Sequence, residues 1–145
     1  MGYKIKNSCT FYKRLYNYLL NKQFELGGSA LFRRCTSADH EKIMGFLLEE
    51  RAMNLFIIGD IENFGYEADF QDIYAQFDNT GEIEGVLLRY QNSYIPYTKS
   101  VIDLTNYVEV ISADPELVMV SGKDEIVRSI QQLIPLNKIK LTYFA

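Results

Sequence analysis

Ser121-Gly122-Lys123 stands between the apolar run Leu117–Val120 and a helical repeat, and its residue types suit an anion held at a helix N-terminus. The Gly-rich loop of a full phosphate cradle is missing, so a plain strand-to-helix turn is the competing reading. A second chemical feature is the run from Ala52 to Leu88. It carries Asp60, Glu62, Glu67, Asp69, Asp72, Asp78, Glu82 and Glu84 with no Lys or Arg. Such a surface can steer a cationic amine, although a solvated acidic face has the same composition. His40 is the lone histidine and lies among Asp39, Glu41 and Lys42, a setting that predicts a solvated position. One histidine leaves no Ser/His/Asp or Cys/His arrangement, and no metal-ligand spacing is present. Cys9 and Cys35 form no redox pair. Cys35, in an apolar run, is expected to be a small buried hydrophobe, with a disulfide to Cys9 disfavoured by a cytosolic setting.

The elements that would position these groups follow from periodicity. Leu31–Cys35 predicts a strand, and Thr36 a helix cap with Asp39 as its capping-box partner. Ile43, Met44, Leu47 and Leu48 fall on one helical face, and that helix should close near 51–53. Asn54 and Gly65 bracket a second helix, although the short apolar run 55–58 also fits a buried strand. A meander comes next: strands at 72–77, 83–90 and 93–97, with turns at Asp78-Asn79-Thr80-Gly81 and Gln91-Asn92. Pro96 cannot donate a ladder bond and marks an edge, a bulge or a parting of neighbours. A helix over 103–112, a strand over 117–121, an amphipathic helix over 123–134 and a strand through Ile139, Leu141 and Tyr143 complete the pattern.

The chain has 145 residues, enough for one domain. Residues 1–35 hold seven Lys or Arg against Glu25 alone, whereas the rest holds eight basic and eighteen acidic side chains. An acidic body argues against nucleic-acid binding. Within residues 1–30, Phe11, Leu15, Tyr18 and Leu19 recur at helical spacing among Lys13, Arg14 and Lys22. That pattern suits a membrane-surface or partner helix, or an appendage on the domain. No apolar run approaches the ~18 residues of a membrane span, and no signal-peptide pattern opens the chain, so cytoplasm is the expected location. Gly27-Gly28 is what a purine-rich ribosome-binding sequence encodes, and Leu is the misread form of a UUG start. Translation is therefore expected to begin at position 31, which the intact mass of the native protein would check.

Residues 31–145 resemble the GNAT superfamily of N-acetyltransferases. The resemblance rests on Leu31–His40 (LFRRCTSADH), Asn54–Tyr66 (NLFIIGDIENFGY), Gly85–Tyr90 (GVLLRY) and Val118–Gly122 (VMVSG), together with the element order. It implies an α/β fold, a mixed sheet with helices on both faces, and acetyl transfer from acetyl-CoA to a primary amine. These stretches are similar to a bacterial subgroup in which such a stretch is the N-terminal half of a double-length protein. A second GNAT domain, or a homodimer partner, is then the implied companion. In the family a Glu acts on the amine and a Tyr on the thiolate. The matching candidates are Tyr94, Tyr97 and Tyr143 with Glu62 or Glu109, and a phenol of pKa near 10 can protonate a thiolate without retuning. The family's pyrophosphate loop, Gln/Arg-x-x-Gly-x-Gly/Ala, should follow the fourth strand. That place reads Tyr97-Thr98-Lys99-Ser100-Val101-Ile102-Asp103-Leu104, without glycine and with an acid. The expectation is a degenerate half that does not bind cofactor. The alternatives are a stand-alone ligand-binding or dimerising module, and an active enzyme with an unusual cofactor site. Whether a cofactor motif follows codon 145 in the gene would separate them.

Overall fold

The structure, a computed structural model, describes residues 31–134. The extension 1–30, Cys9, the expected strand at 139–143 and Tyr143 lie outside the described residues. Five strands form one mixed sheet in the order β1-β2-β3-β4-β5: β1 Leu31–Arg34, β2 Gln71–Phe77, β3 Ile83–Tyr90, β4 Ser93–Thr98 and β5 Met119–Val120. The first four pair antiparallel, and β5 joins β4 in parallel. Four helices complete the described chain: α1 His40–Leu48, α2 Leu55–Phe64, α3 Thr105–Ser112 and α4 Asp124–Leu133.

Alternation along the strands divides the apolar residues into two cores, one on each face of the sheet. On one face Ile43, Phe46 and Leu47 of α1 and Ile57, Ile58 and Ile61 of α2 cluster with Ile73, Ala75, Val86, Leu88 and Tyr97. On the other, Tyr107 and Ile111 of α3 and Ile126, Val127 and Ile130 of α4 cluster with Leu87, Tyr94 and Val120. The buried face of α1 includes Phe46 where Leu48 was expected; Leu48 is 46% exposed. Leu48 is the last residue of the helix.

The local signals explain the element ends. Thr36 and Asp39 form the capping box, with Thr36 N donating to Asp39 Oδ2 at 2.9 Å. The turn sets up a short 3₁₀ segment, Ser37–Asp39, that leads into α1. Arg33 forks onto the same carboxylate at 2.8 and 2.9 Å, tying β1 to the helix start. Gly65 ends α2 at φ +67°, a conformation glycine adopts without steric cost. Asp78 Oδ1 accepts from Thr80 N, Thr80 Oγ1 and Glu82 N, which closes the β2–β3 turn.

Three expectations change. Asn54 occupies the position before α2, but its side chain makes no cap; Nδ2 donates to Leu47 O at 2.9 Å and clamps the α1–α2 turn. The helix expected from 103 begins at Thr105, with Leu104 before it and the Asp103 carboxylate accepting from the Thr105 amide. The strand expected over 117–121 pairs only at Met119 and Val120, extended by single bonds from Val118 N to Asn92 O and Ser121 N to Tyr94 O. The next rung of a parallel ladder would need an N–H at residue 96, and Pro96 has none. Gly122, at φ +147°, then turns the chain into α4.

Candidate functional site

The candidate site lies where β4 and β5 run out. Gly122 passes so close to β4 that a Cβ there would stand 3.0 Å from Pro96 O. Beyond that contact the segment 98–104 and α4 face each other across a cleft of about 420 Å³. Ile102, Leu104, Ile126 and Leu133 give it apolar walls, and Asp103 and Glu125 contribute carboxylates.

Beside the cleft, Tyr97 donates its hydroxyl proton to Glu50 Oε1 at 2.5 Å. Lys123 Nζ lies 2.9 Å from the same oxygen and 5.0 Å from the Tyr97 ring centroid, a charge pair and a cation–π contact together. The Phe46 ring meets Tyr97 edge-on at 5.4 Å. Lys99 pairs with Glu49 and sits 4.6 Å from the Phe46 ring centroid. Burial, and then the Glu50 carboxylate, push the Tyr97 phenol well above its ordinary range. The hydrogen bond from Tyr97, and then Lys123, hold Glu50 below the usual carboxylate range. At neutral pH the phenol is neutral and Glu50 is a carboxylate. The phenol is able to donate a proton and poorly able to lose it outright.

Two sequence candidates, Tyr97 and Lys123, therefore meet on a carboxylate that sequence reasoning missed. Glu50 lies 47 and 73 residues from them along the chain, and no local pattern signals the encounter. Glu62 is exposed on α2, and the carboxylate at Tyr97 is Glu50 instead. Glu109 is buried in α3. Tyr94 points to the opposite face of the sheet and donates to Asp114 Oδ2 at 2.9 Å; burial and that carboxylate push its phenol up. In the Ser121-Gly122-Lys123 turn, the Ser121 N–H is used by Tyr94 O and the Lys123 ammonium by Glu50. His40 is exposed, with Nδ1 3.0 Å from the Tyr66 hydroxyl.

At the start of α3 the first amide is already taken. Asp103 Oδ1 accepts from Thr105 N at 2.9 Å and from Thr105 Oγ1 at 2.5 Å. Among the described residues, no group of three His, Cys, Asp or Glu is placed to hold a metal ion. Also among them, no helix is long and apolar enough to cross a membrane. Comparison with protein-family models, with curated proteins and with solved structures finds no match.

Proposed function

We propose that residues 31–145 form a GNAT-like domain, related to acetyl-CoA-dependent N-acetyltransferases, that does not itself hold the coenzyme. In this role it serves as the accessory half of an acetyltransferase, docking against a catalytic half or shaping the acceptor site. The element order and the antiparallel β1–β4 meander with a parallel β5 support the relationship.

The Asp103 carboxylate at the start of α3 carries the second part. A pyrophosphate gripped there would need free backbone N–H groups and positive potential. The Thr105 amide is instead taken by a carboxylate, and a dianion would meet like charge at contact distance. Titration calorimetry of the chain with acetyl-CoA tests this. No saturable heat is expected; micromolar binding, about −8 kcal/mol, would overturn the proposal.

A stand-alone ligand-binding or dimerising module is the alternative role. The open cleft and the exposure of Leu55, Val118 and Leu133 favour it. Sedimentation analysis distinguishes the two, because a self-sufficient dimer persists without a second gene product.

A further inference from the structure

We propose that Lys123 is a strap across the free ends of β4 and β5, and that its release from Glu50 lets β5 swing away about a hinge at Asn92 and Asp114. The proposal is independent of whether the coenzyme binds.

The two ends of β5 are fastened differently. Where the strand enters the sheet, Val118 N donates to Asn92 O at 2.8 Å. Just before it, the Asp114 carboxylate accepts from the Tyr94 hydroxyl at 2.9 Å and from Asn92 Nδ2 at 3.3 Å. The same carboxylate accepts from Glu116 N at 2.8 Å. The turn into β5 is thus tied to the start of β4 through backbone and side chains alike.

The other end has less to hold it. Ser121 N donates to Tyr94 O at 3.0 Å, and Pro96 has no N–H with which to add a further rung. Gly122 then lies against Pro96 with no side chain to lock the strands together.

Lys123 supplies a link at that place. It leads into α4, which packs on one face of the sheet, whereas Glu50 follows α1 on the other. Its ammonium lies 5.0 Å from the Tyr97 ring centroid and 2.9 Å from Glu50 Oε1. The pair therefore bridges the two cores where the ladder stops. The Lys123 side chain is 16% exposed and that of Glu50 41%, so water can solvate both charges once they part. A fully buried pair would be stranded on opening; this one is able to release and close again.

Amide hydrogen exchange of the 145-residue chain, followed residue by residue by NMR at neutral pH, tests the strap. Ser121 reports its end of β5 and Val118 the hinge end; Leu87, on a strand paired on both sides, reports the rest of the sheet. In Lys123→Met, which keeps an unbranched apolar stem, Ser121 should exchange about threefold to fivefold faster, the effect of one partly exposed ion pair. Val118 and Leu87 should keep their rates. Glu50→Gln, which leaves the lysine in place, should reproduce the pattern. Raising NaCl from about 0.1 to 1 M shortens the screening length from about 10 to about 3 Å. That change should speed Ser121 relative to Leu87 in the wild type and not in Lys123→Met. Equal acceleration at all three amides would mean a plain loss of global stability and would overturn the proposal. So would an unaltered Ser121 in both variants, or a salt response at Ser121 that persists in Lys123→Met.

Discussion

The Tyr107 hydroxyl lies where a Cβ on Gly85 would stand, with Ile102 Cδ1 and Thr98 Cγ2 at 3.0 and 3.1 Å from the same point. The absent side chain on β3 thus leaves room for the hydroxyl of a tyrosine on α3. Tyr107 is fully buried and its hydroxyl has no hydrogen-bond partner among the described residues. Burial pushes its phenol far up, so the proton stays on.

Gly85→Ala forces that ring out of place and should cost about 3 kcal/mol, an overpacking penalty at the upper end of the usual range. Tyr107→Phe removes a desolvated, unpaired hydroxyl and should be neutral or stabilise by about 1 kcal/mol. The double variant should recover much of the Gly85→Ala loss. Denaturant unfolding of the four proteins gives the coupling; strict additivity would rule out the contact.

Asp39 sets an acid limit on stability. Its carboxyl is held down to about 2, first by the hydrogen bonds from Arg33. A depressed carboxylate stabilises above its unfolded pKa near 3.9, and the contribution is lost as pH falls from about 4 through 2. Arg33 is partly exposed, so screening reduces the effect to about 1 kcal/mol. Asp39→Asn should unfold earlier at pH 7 by about 1–2 kcal/mol, losing the ion pair and weakening the cap. The gap between wild type and variant should narrow at pH 2; a constant gap would mean that charge plays no part.

Cys35 should be silent toward thiol reagents. It is 1% exposed, and burial first of all pushes its thiol up to about 12. Thiolate is the reactive form, so both access and ionisation oppose labelling. In a Cys9→Ser background, maleimide should label Cys35 only at the rate of unfolding. Labelling at the speed of a free thiol would contradict the burial.

Glu50→Ala should cost more than Tyr97→Phe, about 2 against about 1 kcal/mol by thermal or denaturant unfolding. Removing the carboxylate strands a buried hydroxyl and an ammonium, whereas removing the hydroxyl leaves Glu50 with Lys123. The reverse order would show that Glu50 is satisfied by water alone.

Local signals in the sequence were sufficient for the periphery of the elements. The Thr36–Asp39 box, the Gly65 stop and the Asp78–Gly81 turn each involve residues within a few positions of one another, and each formed. Asp103 and Asn54 misled because both are side chains with two uses. Asp103 stands just outside the helix and accepts from its first amide, and Asn54, at a cap position, commits its amide to Leu47 O. Pro96 warned of a break in the sheet, but the length of β5 depended on which carbonyl lay opposite it. The Tyr97–Glu50–Lys123 cluster was legible only in halves, because three separate elements deliver it and the middle member sits in an unremarkable Glu49-Glu50 pair.

The two-pair seam between β4 and β5 has a dynamic consequence. The antiparallel meander is stitched along its full length, whereas β5 pairs with β4 at two positions, and among the described residues the helix after it is held mainly by side-chain packing on the second core and by the Lys123–Glu50 ion pair. Breathing of this flap would open the molecule on one side without melting the rest. Amide deuterium uptake should accordingly run faster through Ile126, Val127 and Ile130 than through Ile73 or Val86, although all five side chains are buried.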